Sequence, residues 1–164
     1  MSTVTLATKS TSNSTTSIRK SSTVTLPSRI LYSMIRVGDL DRSITFYRDV
    51  LGMREVKRET FTEGRFTLVF MGYGDDASSP TIELTYNWDQ DIYSHGSGYG
   101  HMALAVVDIY AACERLENQG VTVSRKAGPM THAVDETGAR EVIAFIKDPD
   151  GYNIELIEHQ LPQA

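Results

Sequence analysis

MIRVGDL at residues 34–40 and ALAVVDI at residues 103–109 are two versions of one phrase. Each is a short apolar run that ends in an aspartate and leads into a helical pattern. Asp39 precedes a stripe of Leu40, Ile44, Tyr47 and Leu51 that stops at Gly52; Asp108 precedes Ile109, Ala112, Cys113 and Leu116, which stop at Gly120. An aspartate at a helix start accepts the orphan backbone N–H groups, and a glycine just past the last turn takes the left-handed conformation that closes the helix. A second pair, IEL at 82–84 and again at 154–156, falls at an offset of 72, close to the 69 that separates the longer phrases. Matches in the same order at nearly equal offsets read as an internal duplication.

Working outward, strands are expected at Ile30–Val37, Met53–Thr60, Phe66–Tyr73 and Thr81–Asn87, with EGRF (63–66) as a hairpin turn and Gly72, Gly74 and Pro80 punctuating the last connection. The second round places strands at Tyr99–Val107, Val121–Arg125, Val142–Lys147 and Tyr152–Glu158. The order is βαβββ, twice. The fold class is therefore α+β, two tandem βαβββ modules at about 29–88 and 99–158 within a body of residues 29–160.

Of the 164 residues, 40% are hydrophobic and 23% charged, enough for one domain with a sizeable core. The longest apolar runs, such as Val142–Ile146, fall far short of the ~18 residues a membrane helix needs. Residues 1–28 hold Lys9, Arg19, Lys20 and no acid, so with a formal charge of −5 on the chain the remainder is at −8. That acidic body offers no footprint for nucleic acid. The same 28 residues are dominated by Ser and Thr and are read as disordered. Their composition is also that of a plastid or mitochondrial transit peptide; without such an address the protein is cytoplasmic. Cys113, the single cysteine, rules out an internal disulfide framework.

The duplication locates a candidate site. Side chains alternate along a strand, so Glu83 points away from Ile82 and Leu84, and Glu155 away from Ile154 and Leu156. Ionised carboxylates on such a face call for a cation or hydrogen bonds. His101 opens a strand whose same-face successors, Ala103 and Ala105, are small, and the repeat aligns Tyr32 with it. Two carboxylates and an imidazole make an N/O site for a divalent transition metal with open positions. Taken singly, each of these residues reads as an ordinary strand-face polar group.

The segments MIRVGDLDRSITFYRDVLGM, VFMGYG, IELTYNW, YGHMALAV and DPDGYNIELIE together resemble glyoxalase I (lactoylglutathione lyase) of the vicinal oxygen chelate superfamily. The resemblance implies an open half-barrel sheet around each metal, completed by both subunits of a homodimer. It implies isomerisation of the glutathione–methylglyoxal hemithioacetal to S-lactoylglutathione, with one divalent ion, Ni or Zn with Co possible, in each site. By position, Glu83, His101 and Glu155 match metal ligands, Glu155 also matches the proton-shuttling carboxylate, and Arg36 and Asn87 match residues that hold the glutathione part.

Two departures stand out. The family carries His, or Gln, where this chain has Tyr32, so the fourth ligand is a tyrosinate, a water or absent. The loop Met130–Glu141 is longer than the short bacterial pattern and contains His132, which is either a substitute ligand or part of a solvated insertion. His95 and His159 take no role in this reading, and Cys113 reads as a small core residue. Besides the isomerase, the sequence leaves open a degenerate glyoxalase-like dimer with weak or no turnover and another enzyme of the same superfamily.

Overall fold

The computed structural model describes residue 27, residues 29–74 and residues 79–159. The expectation of a disordered or targeting tail at 1–28 thus lies outside the described residues, apart from residue 27. The elements run β1 (Tyr32–Arg36), α1 (Leu40–Thr45), a π-helical turn (Phe46–Val50), β2 (Arg54–Phe61), β3 (Phe66–Gly72), β4 (Thr81–Asn87), β5 (Met102–Val106), α2 (Ile109–Asn118), β6 (Val123–Pro129), β7 (Val142–Lys147) and β8 (Asn153–Glu158). They form two four-stranded mixed sheets, ordered β1-β4-β3-β2 and β5-β8-β7-β6. In each, the first strand pairs parallel with the last and the other pairings are antiparallel. Neither sheet closes into a barrel, and the duplication is realised strand for strand.

Both caps form as the aspartates require. Asp39 accepts from the Arg42 amide at 2.9 Å and Asp108 from the Ala111 amide at 2.9 Å. Gly52 and Gly120 adopt φ of 75° and 80°, the left-handed turn needed to leave each helix. The helices cover one face of the sheets, where Ile35, Leu84, Ile109, Leu116, Ile154 and Leu156 are all but sealed from solvent in a core common to the two modules. The first helix differs from the regular one expected. After Thr45 it widens into the π turn, with the Leu51 amide bonded to the Phe46 carbonyl at 3.1 Å. The wider turn accompanies burial of the adjacent Phe46 and Tyr47, a pair that a 3.6-residue stripe does not place side by side.

Three strand expectations shift. The strand expected from Tyr99 starts at Met102, because the Tyr99 ring turns edge-on to Tyr152 instead of joining the sheet. The one expected at Val121–Arg125 runs Val123–Pro129: Val121 is still bonded to the last turn of α2, and the proline is tolerated because β6 is a sheet edge. The one expected at Ile30–Val37 shortens to Tyr32–Arg36.

The modules are joined by the turn DPDGY (148–152). Asp150 Oδ1 accepts the Gly38 amide at 3.0 Å and the Arg42 guanidinium at 2.9 Å, and Oδ2 accepts the Ser43 hydroxyl at 3.1 Å. Asp148 accepts the Tyr47 hydroxyl at 2.9 Å on one oxygen and the amides of Tyr152 and Asp150 at 2.8 and 3.0 Å on the other. The Tyr152 hydroxyl reaches back to the Arg36 carbonyl at 3.1 Å. Gly38 is required at this junction, since a Cβ there would lie 2.1 Å from the Asp91 carbonyl oxygen.

Replacing Asp150 with Ala strands the buried Ser43 hydroxyl and the Gly38 amide, and should lower unfolding stability by about 2 kcal/mol in urea titrations. Asp148 behaves differently. Burial pushes its carboxyl above the usual carboxylate range, against the opposing pull of its three hydrogen bonds. The folded state therefore favours the neutral form, and the contribution of Asp148 to stability is largest in acid and declines as pH rises through the raised value. Asp148→Asn removes the charge, keeps an oxygen for the two amides and turns the Tyr47 hydroxyl into an acceptor, so its melting temperature should gain on wild type as pH rises above the ordinary carboxylate range.

Candidate functional site: two half-sites on equivalent sheet faces

The faces turned away from the helices carry the candidate residues. In the first sheet, register aligns Met34 with Glu83 and Phe70 in one transverse row, Arg36 with Thr85 and Leu68 in the next, and Asn87 with Phe66 beyond. Tyr32, two positions before Met34, shares that face. In the second sheet Ala103, Glu155 and Phe145 form the corresponding row, with His101 at its near end.

The edge strands complete the rows through a device that alternation cannot reveal. Glu55 opposes Met71 and Lys57 opposes Phe70, so the ladder skips one residue and β2 bulges at Val56. That single extra residue turns Lys57, Glu59 and Phe61 onto the face of Glu83. The second module repeats it: Val123 opposes Ile146, Arg125 opposes Phe145, and Ser124 is the extra residue. Each module thus aligns a cation, a phenylalanine and a glutamate across three strands. Lys57 Nζ lies 5.7 Å from the Phe70 ring centre and 2.7 Å from Glu59, whereas Arg125 bonds the Ile143 carbonyl at 2.6 Å.

The two glutamates sit in different surroundings. Glu83 is buried and accepts the Thr85 hydroxyl at 2.7 Å. Above it, the Tyr32 ring meets Phe70 edge-on at 5.2 Å, so the phenol stands on the Glu83 face and packs against the neighbouring strand. Glu155 lies 3.0 Å from His101 Nε2, and the imidazole is held edge-on to Phe145 at 5.3 Å. Asn87 donates to the Tyr93 hydroxyl at 2.9 Å, while the Arg36 guanidinium makes no hydrogen bond or ion pair among the described residues. Tyr93 and the bulge residues escaped the sequence reading: the segment 88–100 has no periodicity, and a bulge changes strand parity without a compositional mark.

The structure brings Tyr32, Arg36, Glu83 and Asn87 to one face and His101 and Glu155 to the other. It does not gather them into one cluster: among the described residues, no three His, Cys, Asp or Glu side chains converge closely enough to hold a metal ion. His132 lies exposed on the 130–141 loop, which is closed by the Met130 amide on the Glu141 carbonyl at 2.8 Å. Cys113 is buried under the second sheet, and burial raises its thiol above the usual range.

Paired βαβββ modules with polar residues on the open sheet faces define the vicinal oxygen chelate class. The sequence matches the profile of the Glyoxalase/Bleomycin resistance protein/Dioxygenase superfamily across residues 29–156. A lactoylglutathione lyase of Neisseria meningitidis is 52% identical over 130 residues, which cover 79% of this chain and 90% of that protein. The Haemophilus influenzae lactoylglutathione lyase is 53% identical over 132 residues, covering 80% and 93%. Among solved structures, glyoxalase I from Zea mays superposes with a TM-score of 0.73 at 38% identity; the match covers 81% of this chain but only 45% of the maize chain. The trypanothione-dependent glyoxalase I of Leishmania major superposes with a TM-score of 0.66 at 42% identity, covering 80% and 86%. The chain belongs to the glyoxalase I (lactoylglutathione lyase) family of enzymes.

Proposed function

We propose that the protein isomerises the hemithioacetal of methylglyoxal and glutathione to S-lactoylglutathione, working as a homodimer whose sites are shared. The observation that carries this reading is the division of the donor set. Glu83, with Tyr32 beside it, lies on one open face, and the His101–Glu155 pair lies on the equivalent open face of the other module. Neither half is a site alone, yet the two have complementary chemistry, carboxylate on one side and imidazole with carboxylate on the other. Two copies related by a two-fold axis bring unlike halves together twice, and the apolar side chains exposed on these faces, Tyr32, Met34 and Phe61, favour covering them.

Glu83, His101 and Glu155 fit a divalent nickel, zinc or cobalt ion by donor chemistry, with Tyr32 at the fourth position. Such an ion would supply Lewis-acid polarisation of the substrate's oxygens. Glu155 takes the proton from the carbon that bears sulfur and returns it to the neighbouring carbon, so the former carbonyl carbon becomes the carbinol and the former carbinol carbon the thioester. His101 Nε2 stands 3.0 Å from Glu155, so the two donors of this half are already side by side. Arg36 clamps a substrate carboxylate with two parallel N–H donors, and Asn87, fixed by Tyr93, adds a polar contact.

A second reading, a family member with weak turnover, is favoured by Tyr32. The bulky phenol packed on Phe70 takes the place of a nitrogen ligand and of substrate volume. Adding Ni²⁺, Co²⁺ or Zn²⁺ to the purified protein and following S-lactoylglutathione formation separates the two readings.

The shared site makes a direct prediction for mixed dimers. Glu83→Gln and Glu155→Gln should each be inactive alone, while unfolding and refolding them together restores about a quarter of wild-type activity, because half the dimers then hold one intact site. Recovery of no activity, with mixed dimers demonstrated, would falsify the shared-site arrangement. Tyr32→His should raise both metal affinity, measured by titration, and turnover. An unchanged metal affinity in that variant would show that position 32 does not face the ion.

A further inference from the structure

His95 takes no part in the chemistry described so far. It lies in the irregular segment between β4 and β5, which is pressed against the end of β1 because Gly38 has no Cβ to hold off the Asp91 carbonyl. The segment delivers Tyr93 and His95 to the side of Arg36. An open cavity of about 210 Å³ is lined there by Met34, Arg36, Tyr93, His95, Tyr99 and Tyr152. A second opening of about 200 Å³, also lined by Arg36, again includes Tyr93 and His95.

The His95 ring is not loose in this cavity. It stacks on Tyr152 with centroids 3.9 Å apart and planes 15° from parallel. Tyr152 is itself locked, its hydroxyl bonded to the Arg36 carbonyl and its ring bounded edge-on by Tyr99. Stacking fixes the plane of the imidazole while leaving its nitrogens, which lie in that plane, available at the ring edge. No hydrogen bond occupies either nitrogen among the described residues, and the same holds for the adjacent guanidinium. Three acids surround this place: Asp91 and Asp150 line the second opening, and Asp148 acts on the Tyr99 and Tyr152 hydroxyls. Both oxygens of Asp150 are taken by Gly38, Arg42 and Ser43, and both of Asp148 by Tyr47, Tyr152 and Asp150. An unsatisfied guanidinium beside an oriented, unsatisfied imidazole is a receptor for an anion with two oxygens.

We propose that His95 is a second anchor, beside Arg36, for a carboxylate on the thiol part of the substrate. The inference rests on the reading that Arg36 faces bound substrate, and deepens it: the ligand class is a thiol conjugate carrying a free carboxylate, and His95 selects for that group over its amide.

Binding of S-methylglutathione, an unreactive thioether, to the full-length dimer tests this without turnover. His95→Phe keeps an aromatic ring on Tyr152 but removes the N–H donor, and should weaken binding about tenfold, the worth of one charge-assisted hydrogen bond. His95→Gln, which restores a donor without the ring, should recover part of that loss, which a purely structural stack would not allow. The probe amidated at the anchored one of its two carboxylates should bind wild type more weakly than the His95→Phe variant binds the parent thioether, because the Arg36 clamp is weakened too, and should be insensitive to that substitution. Equal binding of S-methylglutathione by wild type and His95→Phe overturns the proposal, as does sensitivity to the substitution that survives amidation of either carboxylate. Failure of wild type to bind the probe sinks both this inference and the glutathione reading; tight binding without isomerase activity removes only the isomerase and leaves His95 in place.

Discussion

The turn at residues 148–152 is the interaction on which the molecule depends. Two βαβββ modules have no reason to adopt a fixed mutual arrangement unless polar groups at their junction are satisfied by each other. Asp150 meets the start of α1 and Asp148 the Tyr47 hydroxyl, so a few side chains of the second module complete the first helix of the other. Burying two carboxylates so close together is costly, and the raised Asp148 carboxyl registers that cost. The return is directional: an apolar junction tolerates slippage, whereas four donors from the first module, the Gly38 amide, Arg42, Ser43 and Tyr47, meet two aspartates of the second and fix one register.

With the junction fixed, the half-sites fall where the duplication puts them. The repeat extends below the level of strands and helices, to the bulge that carries Lys57 in one module and Arg125 in the other into line with a phenylalanine and a glutamate. Two copies of one irregularity at equivalent places argue that it belongs to the architecture of the face. Since then the modules have specialised. The first keeps its cation over an aromatic ring and its glutamate buried on the Thr85 hydroxyl; the second spends its cation on the backbone and leaves its glutamate to a histidine.

What was legible in the sequence follows from what repeats and what alternates. The paired motifs exposed the module order, and alternation in IELTYN and NIELIE put Glu83 and Glu155 on the faces opposite the core. Caps and glycine stops were legible because each depends on one side chain acting on its own backbone. The ends of β5 and β6, the π turn and the bulges were not, since each is decided by partners distant in sequence: Tyr152 draws Tyr99 away, and the opposing strand decides which residue of β2 is the extra one. The candidate residues were proposed as a set from the symmetry of the repeats, which already assigns Tyr32 and Glu83 to one module and His101 and Glu155 to the other.

That separation also bears on which carboxylate moves the proton under the proposed reading. A base that accepts and returns a proton must change partners during the reaction, so a carboxylate already committed to a fixed donor in a sealed position is badly placed. Glu83 is in that state, with its oxygen on the Thr85 hydroxyl two residues along the same strand and its side chain covered. Glu155 faces a histidine from another strand, and only small residues, Ala103 and Ala105, share the adjoining strand face with that histidine. A carboxylate with room beside it and a partner that both donates and accepts can turn from one substrate carbon to the next. On that reading the two glutamates share an origin but not a role: the first module would supply the fixed wall of the site, and the second its moving part.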